Sequence, residues 1–198
     1  MVPTNRAEDL APSYVLDAGM SRFQVKAYAS GMLSAFGHNP TIAIRSFTGE
    51  AWFRPQAPEQ SSLRLEIDAV SLAMSSDAND KDRREIERMM REEVLETARF
   101  PEIHFASSGM EANQLGEGMY AMKILGKLSL HGVERDVMIP CNVTIDEERL
   151  RAGGEFSIRQ TDYRIRLVSV AGGTLKLKDE LKFQFEIVGK QRREAFGD

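Results

Sequence analysis

Apolar and polar residues alternate along most of the chain, the mark of strands that bury one face. Phe23, Val25, Ala27 and Ala29 share one side of a segment whose other side carries Arg22, Gln24, Lys26 and Tyr28. The pattern returns at Leu63, Leu65 and Ile67, and at Met122, Ile124, Gly126, Leu128 and Leu130. It recurs at Val137, Ile139, Cys141, Val143 and Ile145, and most clearly at Leu181, Phe183, Phe185 and Ile187. Pro140 falls on the outward set of its run; proline cannot donate to a ladder, so it predicts an edge, a bulge or a weakly paired stretch. Between residues 41 and 53 the phase changes, with Ile42 and Ile44 on one parity and Phe47, Gly49, Ala51 and Phe53 on the other. A bulge near Arg45 and Ser46 would restore a common inward face. Turn signals at 54–58, 113–118, 152–154 and Gly172–Gly173 punctuate these runs. About eight short strands so spaced predict a sandwich or barrel.

One segment breaks the rhythm. From Asn79 to about Ala98, apolar Ile86, Met89, Met90, Val94 and Ala98 follow helical spacing among charged residues. Asn79 or Asp80 can cap this amphipathic helix, Asp80 and Asp82 suit the positive end of its dipole, and Pro101 sets its limit. It is expected to lie across one mouth or side of the β structure, where Met89 and Met90 suit packing or a lid.

Composition narrows the functional classes. The 198 residues fit one domain, expected over 14–190 with mobile flanks at 1–13 and 191–198. With 42% hydrophobic and 28% charged residues the chain can bury a core and is not of the disordered class. Its 30 acids and 26 bases are dispersed, which argues against a nucleic-acid footprint. Cys141 is the single cysteine, so neither an intramolecular disulfide nor a Cys-rich zinc site can form. The acidic start, lacking the basic and apolar segments of a leader, and the absence of a long apolar run predict a soluble, cytoplasmic protein with no transmembrane segment. A homodimer is left open.

The three histidines, His38, His104 and His131, show no metal-ligand spacing. No nucleophile elbow, phosphate loop or paired carboxylates appear, so neither a catalytic site nor a cofactor is expected. Asp68, Asp77, Asp80 and Asp162 read as turn caps or partners of arginines. Arg159, Arg164 and Arg166 form a basic group near Asp162 and Tyr163 that reads as a solvated strand face or as a set of phosphate-binding forks. Small inward residues (Ala27, Ala29, Gly49, Ala51, Gly126 and Gly154) among Phe and Leu suit a tapered interior with spare volume, or simply close packing.

An ordered series of segments resembles the YceI-like family of polyisoprenoid-binding proteins over roughly Tyr14 to Lys190. It runs through Tyr14-Val-Leu-Asp17, Ser21-Arg-Phe-Gln-Val25, Phe36-Gly-His38 leading to Phe47-Thr-Gly49, the stretch from Asp77 to Arg84, and Phe100-Pro-Glu-Ile-His-Phe105. The most specific piece is Gly126-Lys-Leu-Ser-Leu-His-Gly-Val133, followed by Gly154-Glu-Phe-Ser-Ile158 and Asp162-Tyr163. The run Leu95-Glu-Thr-Ala-Arg-Phe100 is poorer in aromatics than is usual after the family's helix. The resemblance implies an up-and-down, lipocalin-like antiparallel β-barrel with one helix. It further implies an isoprenoid-type lipid, such as a prenyl quinone or prenyl phosphate, held in the lumen without covalent chemistry. The expected lining is Phe36, His38, Ile42, Ile44, Phe47, Phe105, Leu128, Leu130, Phe156, Phe183 and Phe185. His38 and His131 are expected to brace turns or to touch a polar lipid head. Two other readings stand beside this one: an enzyme acting on a small lipophilic substrate with His38 or His131 as general base, and a filled barrel serving as an interaction module.

Overall fold

The computed structural model describes residues 12–30, 39–75, 79–146, 148–170 and 175–192. The alternating runs are strands β1 (Ser13–Leu16), β2 (Arg22–Ser30), β3 (Thr41–Ala43), β4 (Phe47–Trp52), β5 (Ser62–Asp68) and β6 (Ala73–Met74). They continue as β7 (Glu102–Gly116), β8 (Met119–Leu130), β9 (Val133–Ile145), β10 (Arg149–Arg159), β11 (Ser169–Val170) and β12 (Leu175–Gln191). Every pairing is antiparallel. β12 pairs first with β2 and then, at Gly189 to Gln191, with β1, so β1 and β2 form one interrupted wall strand. In the same way β3 and β4 together face β6 and β5. Counted this way the wall has eight strands, each beside its chain neighbour and the last beside the first. Closure gives every wall strand two neighbours over at least part of its length.

Parity holds along the wall. Phe23, Val25, Ile67, Met122, Ile124, Leu128, Leu130, Cys141 and Val143 are all buried on the inside, and most of their outward neighbours are polar, Ala121, Leu125 and Pro140 being exceptions. The side chain of Ala29 and the Gly172–Gly173 turn lie outside the described residues.

Three local expectations are corrected. The phase change after Ile44 is a break between β3 and β4 rather than a bulge: residues 44–46 belong to neither strand, although Ile44 N still donates to Phe23 O at 2.9 Å and Ser46 O accepts from Asp68 N at 3.2 Å, and Ile42, Ile44, Phe47, Ala51 and Phe53 all end up buried. Ala152, Gly153 and Gly154 are not a turn but the middle of β10, where a Cβ on Gly154 would come within 2.9 Å of Phe185 Cζ. Here glycine serves close approach of neighbours rather than chain reversal. The helix is also shorter than its apolar spacing predicts. Helix α1 (Asp80–Met89), capped by Asn79 Oδ1 accepting from Lys81 N and Asp82 N at 3.1 and 2.9 Å, passes into one π turn at Met90–Val94. The chain then reverses at Glu96, whose φ is 45°, leaving Ala98 exposed beyond the helix.

Pro140 marks a boundary. β9 pairs with β8 along its whole length, but its ladder to β10 stops at Cys141 and Gly154, one residue short of the proline. A residue without an N–H stands where one of the two ladders ends. Beyond it β9 and β10 part, and a 3-10 turn at Gln160–Tyr163 packs against their ends and against β12.

Candidate functional site

The barrel encloses a cavity of about 380 Å³ that runs from Ala51, Phe53, Val143 and Leu150 at one end to α1 and its π turn at the other. Its wall is almost wholly apolar. Of the expected lining, Ile42, Ile44, Phe105, Leu128, Leu130, Phe156, Phe183 and Phe185 all face it. Phe47 is buried but stands behind the lining, edge-on to Phe23 with ring centroids 6.2 Å apart. Phe36 and His38 lie outside the described residues.

The small inward residues divide into two groups. Ala27, Ala51 and Ala152 line the cavity, whereas the space over Gly49 is taken by Leu16 and that over Gly126 by the Phe105 ring, whose Cζ a Cβ would meet at 2.5 Å. Glycine therefore seats the large side chains as much as it opens the lumen.

The helix end is built differently from the strands. Ile86, Met89, Met90, Val94 and Leu95 turn toward the cavity, yet no residue of α1 or the π turn is buried. The helix is fastened to β6 where Met74 N donates to Glu87 Oε1 at 2.9 Å, while Arg88 joins Glu85 and Glu92 at 2.8 and 2.7 Å within the helical segment on its outer face.

His131 and Gly132 form the two-residue turn between β8 and β9, with φ of 52° and 71°. Positive φ at both positions is the type I′ requirement, which glycine meets freely. The histidine ring does not line the cavity. Its Nε2 lies 2.9 Å from Glu96 Oε2, its Nδ1 3.2 Å from the Tyr163 carbonyl oxygen, and its face 4.6 Å from the Phe100 ring centroid. It thus joins three segments: the turn after the helix, the hairpin and the 3-10 turn. His104 also faces away from the lumen, 3.2 Å from Glu102 and 3.7 Å from Glu66 on the outer surface.

Two buried polar residues escaped the alternation pattern. Gln160 is 2% exposed and lines the cavity, and its Nε2 donates to Lys178 O at 2.9 Å. Tyr163 is 1% exposed, and its hydroxyl has no hydrogen-bond partner among the described residues; burial pushes the phenol up to about 12. Asp179 positions both by binding the turn, accepting from Thr161 N at 2.9 Å, Thr161 Oγ1 at 2.6 Å and Arg159 Nε at 3.0 Å. These donors hold its carboxyl below the usual aspartate value, the Thr161 hydroxyl contributing most. The basic group is thereby divided, since Arg159 is committed to Asp179 while Arg164 and Arg166 are exposed on the chain beyond. Cys141 is buried on the inward face of β9, and desolvation pushes its thiol up to about 11. Among the described residues no helix is long and apolar enough to cross a membrane.

Comparison with known proteins bears on this geometry. No curated protein matches the sequence. Among solved structures, Burkholderia cenocepacia BcnA superposes with a TM-score of 0.66 at 19% identity, covering 87% of this chain and 98% of its own. A polyisoprenoid binding domain from Saccharophagus degradans, implicated in plant cell wall breakdown, gives 0.61 at 16% identity, covering 90% and 98%. A Campylobacter jejuni YCEI protein gives 0.56 at 13% identity, covering 77% and 85%. At such identities the likeness is one of fold. The family model for the YceI-like domain matches residues 14–189, nearly the whole described barrel, and on that match the chain belongs to the YceI-like family.

Proposed function

We propose that the protein binds a long-chain isoprenoid lipid in its lumen without covalent chemistry, and stores or carries it. The observation that supports this most is the cavity: about 380 Å³, continuous along the barrel and walled by aliphatic and aromatic side chains. That volume lies within the roughly 300–1,000 Å³ of small-molecule sites. Each methylene moved from water into such a wall contributes about 0.8 kcal/mol, so a few prenyl units suffice for tight binding with few polar contacts. Membership of the YceI-like family, and the Saccharophagus degradans domain described as polyisoprenoid binding, point the same way. The filled-barrel reading is disfavoured by the open lumen. A general-base role for His131 is disfavoured because its ring nitrogens face Glu96 and a carbonyl oxygen rather than the cavity.

The test uses the freshly purified chain. Native mass spectrometry with organic extraction is expected to yield an isoprenoid lipid. Titration of the stripped protein with a prenylated quinone, followed by native mass spectrometry, is expected to give a saturable one-to-one complex. Recovery of no lipid together with no saturable quinone complex would overturn the proposal.

A further inference from the structure

Resting on the lipid-binding reading, we infer that Gln160 is the head-group anchor of the lumen, and that the ligand it selects carries a neutral carbonyl or hydroxyl rather than a phosphate. The inference starts from how little polarity the cavity wall contains. Among the described lining residues none is Lys, Arg, Asp or Glu. Ser61, Ser62 and Trp52 belong to the end opposite the helix, by the loop between β4 and β5. His104 turns its ring outward onto Glu102. At the helix end this leaves Gln160 as the one polar side chain facing the cavity among the described residues.

Gln160 is also held in place. It opens the 3-10 turn that fills the parting of β9 and β10, and it sits beside Thr161, which Asp179 grips through two bonds. One N–H of its amide goes to Lys178 O at 2.9 Å. A primary amide carries two N–H bonds and a carbonyl acceptor, so a donor and an acceptor remain for a ligand. Because the side chain is 2% exposed, these groups meet little bulk water, and a ligand group that pairs with them replaces few competing hydrogen bonds.

Charge decides the class of head. Burying an ionised group without a counter-charge is far more costly than burying a neutral one that finds a hydrogen bond. A prenyl diphosphate would find no cation in the described wall and must leave its head in solvent, gaining nothing from Gln160. A quinone carbonyl or a polyprenol hydroxyl can enter as far as the amide and pair with it.

The experiment compares three ligands on wild type and on the near-isosteric Gln160→Met, with Gln160→Leu as a second variant should the first fail to fold. The ligands are a prenylated quinone, the prenyl diphosphate of matched chain length, and squalene, a prenyl hydrocarbon with no head; native mass spectrometry titration reports binding. One net hydrogen bond corresponds to about a two- to tenfold change in affinity. Wild type is expected to prefer the quinone to the diphosphate. The substitution is expected to weaken the quinone by that factor and to leave squalene and the diphosphate unchanged. Equal loss for quinone and squalene would reduce Gln160 to a packing residue, and a diphosphate preference in wild type would overturn the selectivity; either result sinks the inference while lipid binding stands. If wild type binds none of the three, lipid binding itself fails and the anchor with it.

Discussion

The two ends of the barrel are closed by different means. At one, Phe53 and Tyr120 meet edge to face with centroids 5.0 Å apart, and Tyr14 and Val143 are buried nearby at 4% exposure each. Backbone bonds tie the same end together, among them Phe53 N to Pro12 O at 3.0 Å and Arg192 N to Ser13 O at 2.8 Å. At the other end α1 presents Ile86, Met89, Met90 and Val94 to the cavity without burying any of them. At the first end, rings and backbone bonds close the wall around the cavity. At the second, Ile86, Met90 and Val94 pack against the core but stay half-buried, so this end is the more loosely packed of the two.

The sharpest way to break this contrast is to remove a ring from the packed end. Phe53→Ala deletes a side chain that is 3% exposed and leaves a void beside Tyr120. The expected loss is about 3–5 kcal/mol, read as a lower denaturant midpoint with an unchanged slope. A loss below about 1 kcal/mol would mean that this end is no better packed than the helix end.

The complementary test truncates the helix. Ile86→Ser and Met90→Ser each remove a half-buried apolar side chain, so in the stripped protein each is expected to cost about 1 kcal/mol or less. Their larger effect is expected on the bound lipid, as faster dissociation followed by its transfer to acceptor vesicles. Equal effects on stability from Phe53→Ala and Ile86→Ser would erase the distinction between the ends.

How far each end could be read from sequence follows from the same contrast. The wall was legible because every long strand repeats a period of two, which places Leu128, Leu130, Phe183 and Phe185 on the inside without knowledge of their partners. Interruptions of that period were not. In β7 the register shifts between Ser107 and Gly109, so the inward set passes from Phe105 to Met110, and in β12 it shifts between Leu177 and Leu181. Such shifts depend on what the neighbouring strand does and leave no local signature. Gln160 was missed for a related reason. A glutamine within Arg159-Gln160-Thr161-Asp162 reads as surface, and only the parting of β9 from β10, announced by Pro140 alone, creates the wedge that buries it. The His131-Gly132 turn was placed on resemblance, whereas its partners Glu96 and Tyr163 lie about 35 and 32 residues away in sequence and could not be paired by pattern.

The smallest expected effect sharpens the comparison at the helix end, where polar bonds take over the role that rings play opposite. Asp179 holds the 3-10 turn, and Asp179→Asn is expected to cost about 1 kcal/mol or less, because the group is partly solvated and water competes for its partners. Its pH dependence separates this role from plain packing. The carboxyl titrates lower in the folded chain than its ordinary value of 3.8, so the unfolded chain binds the proton more readily. The stabilisation is therefore fully present above the unfolded value and is lost as pH falls through the folded one. The stability difference between wild type and Asp179→Asn is expected to hold from pH 7 to about pH 5 and to shrink toward zero as the pH drops below 3.8. A difference that stayed constant from pH 7 to pH 2.5 would mean that the carboxylate charge contributes nothing to seating the turn that bears Gln160.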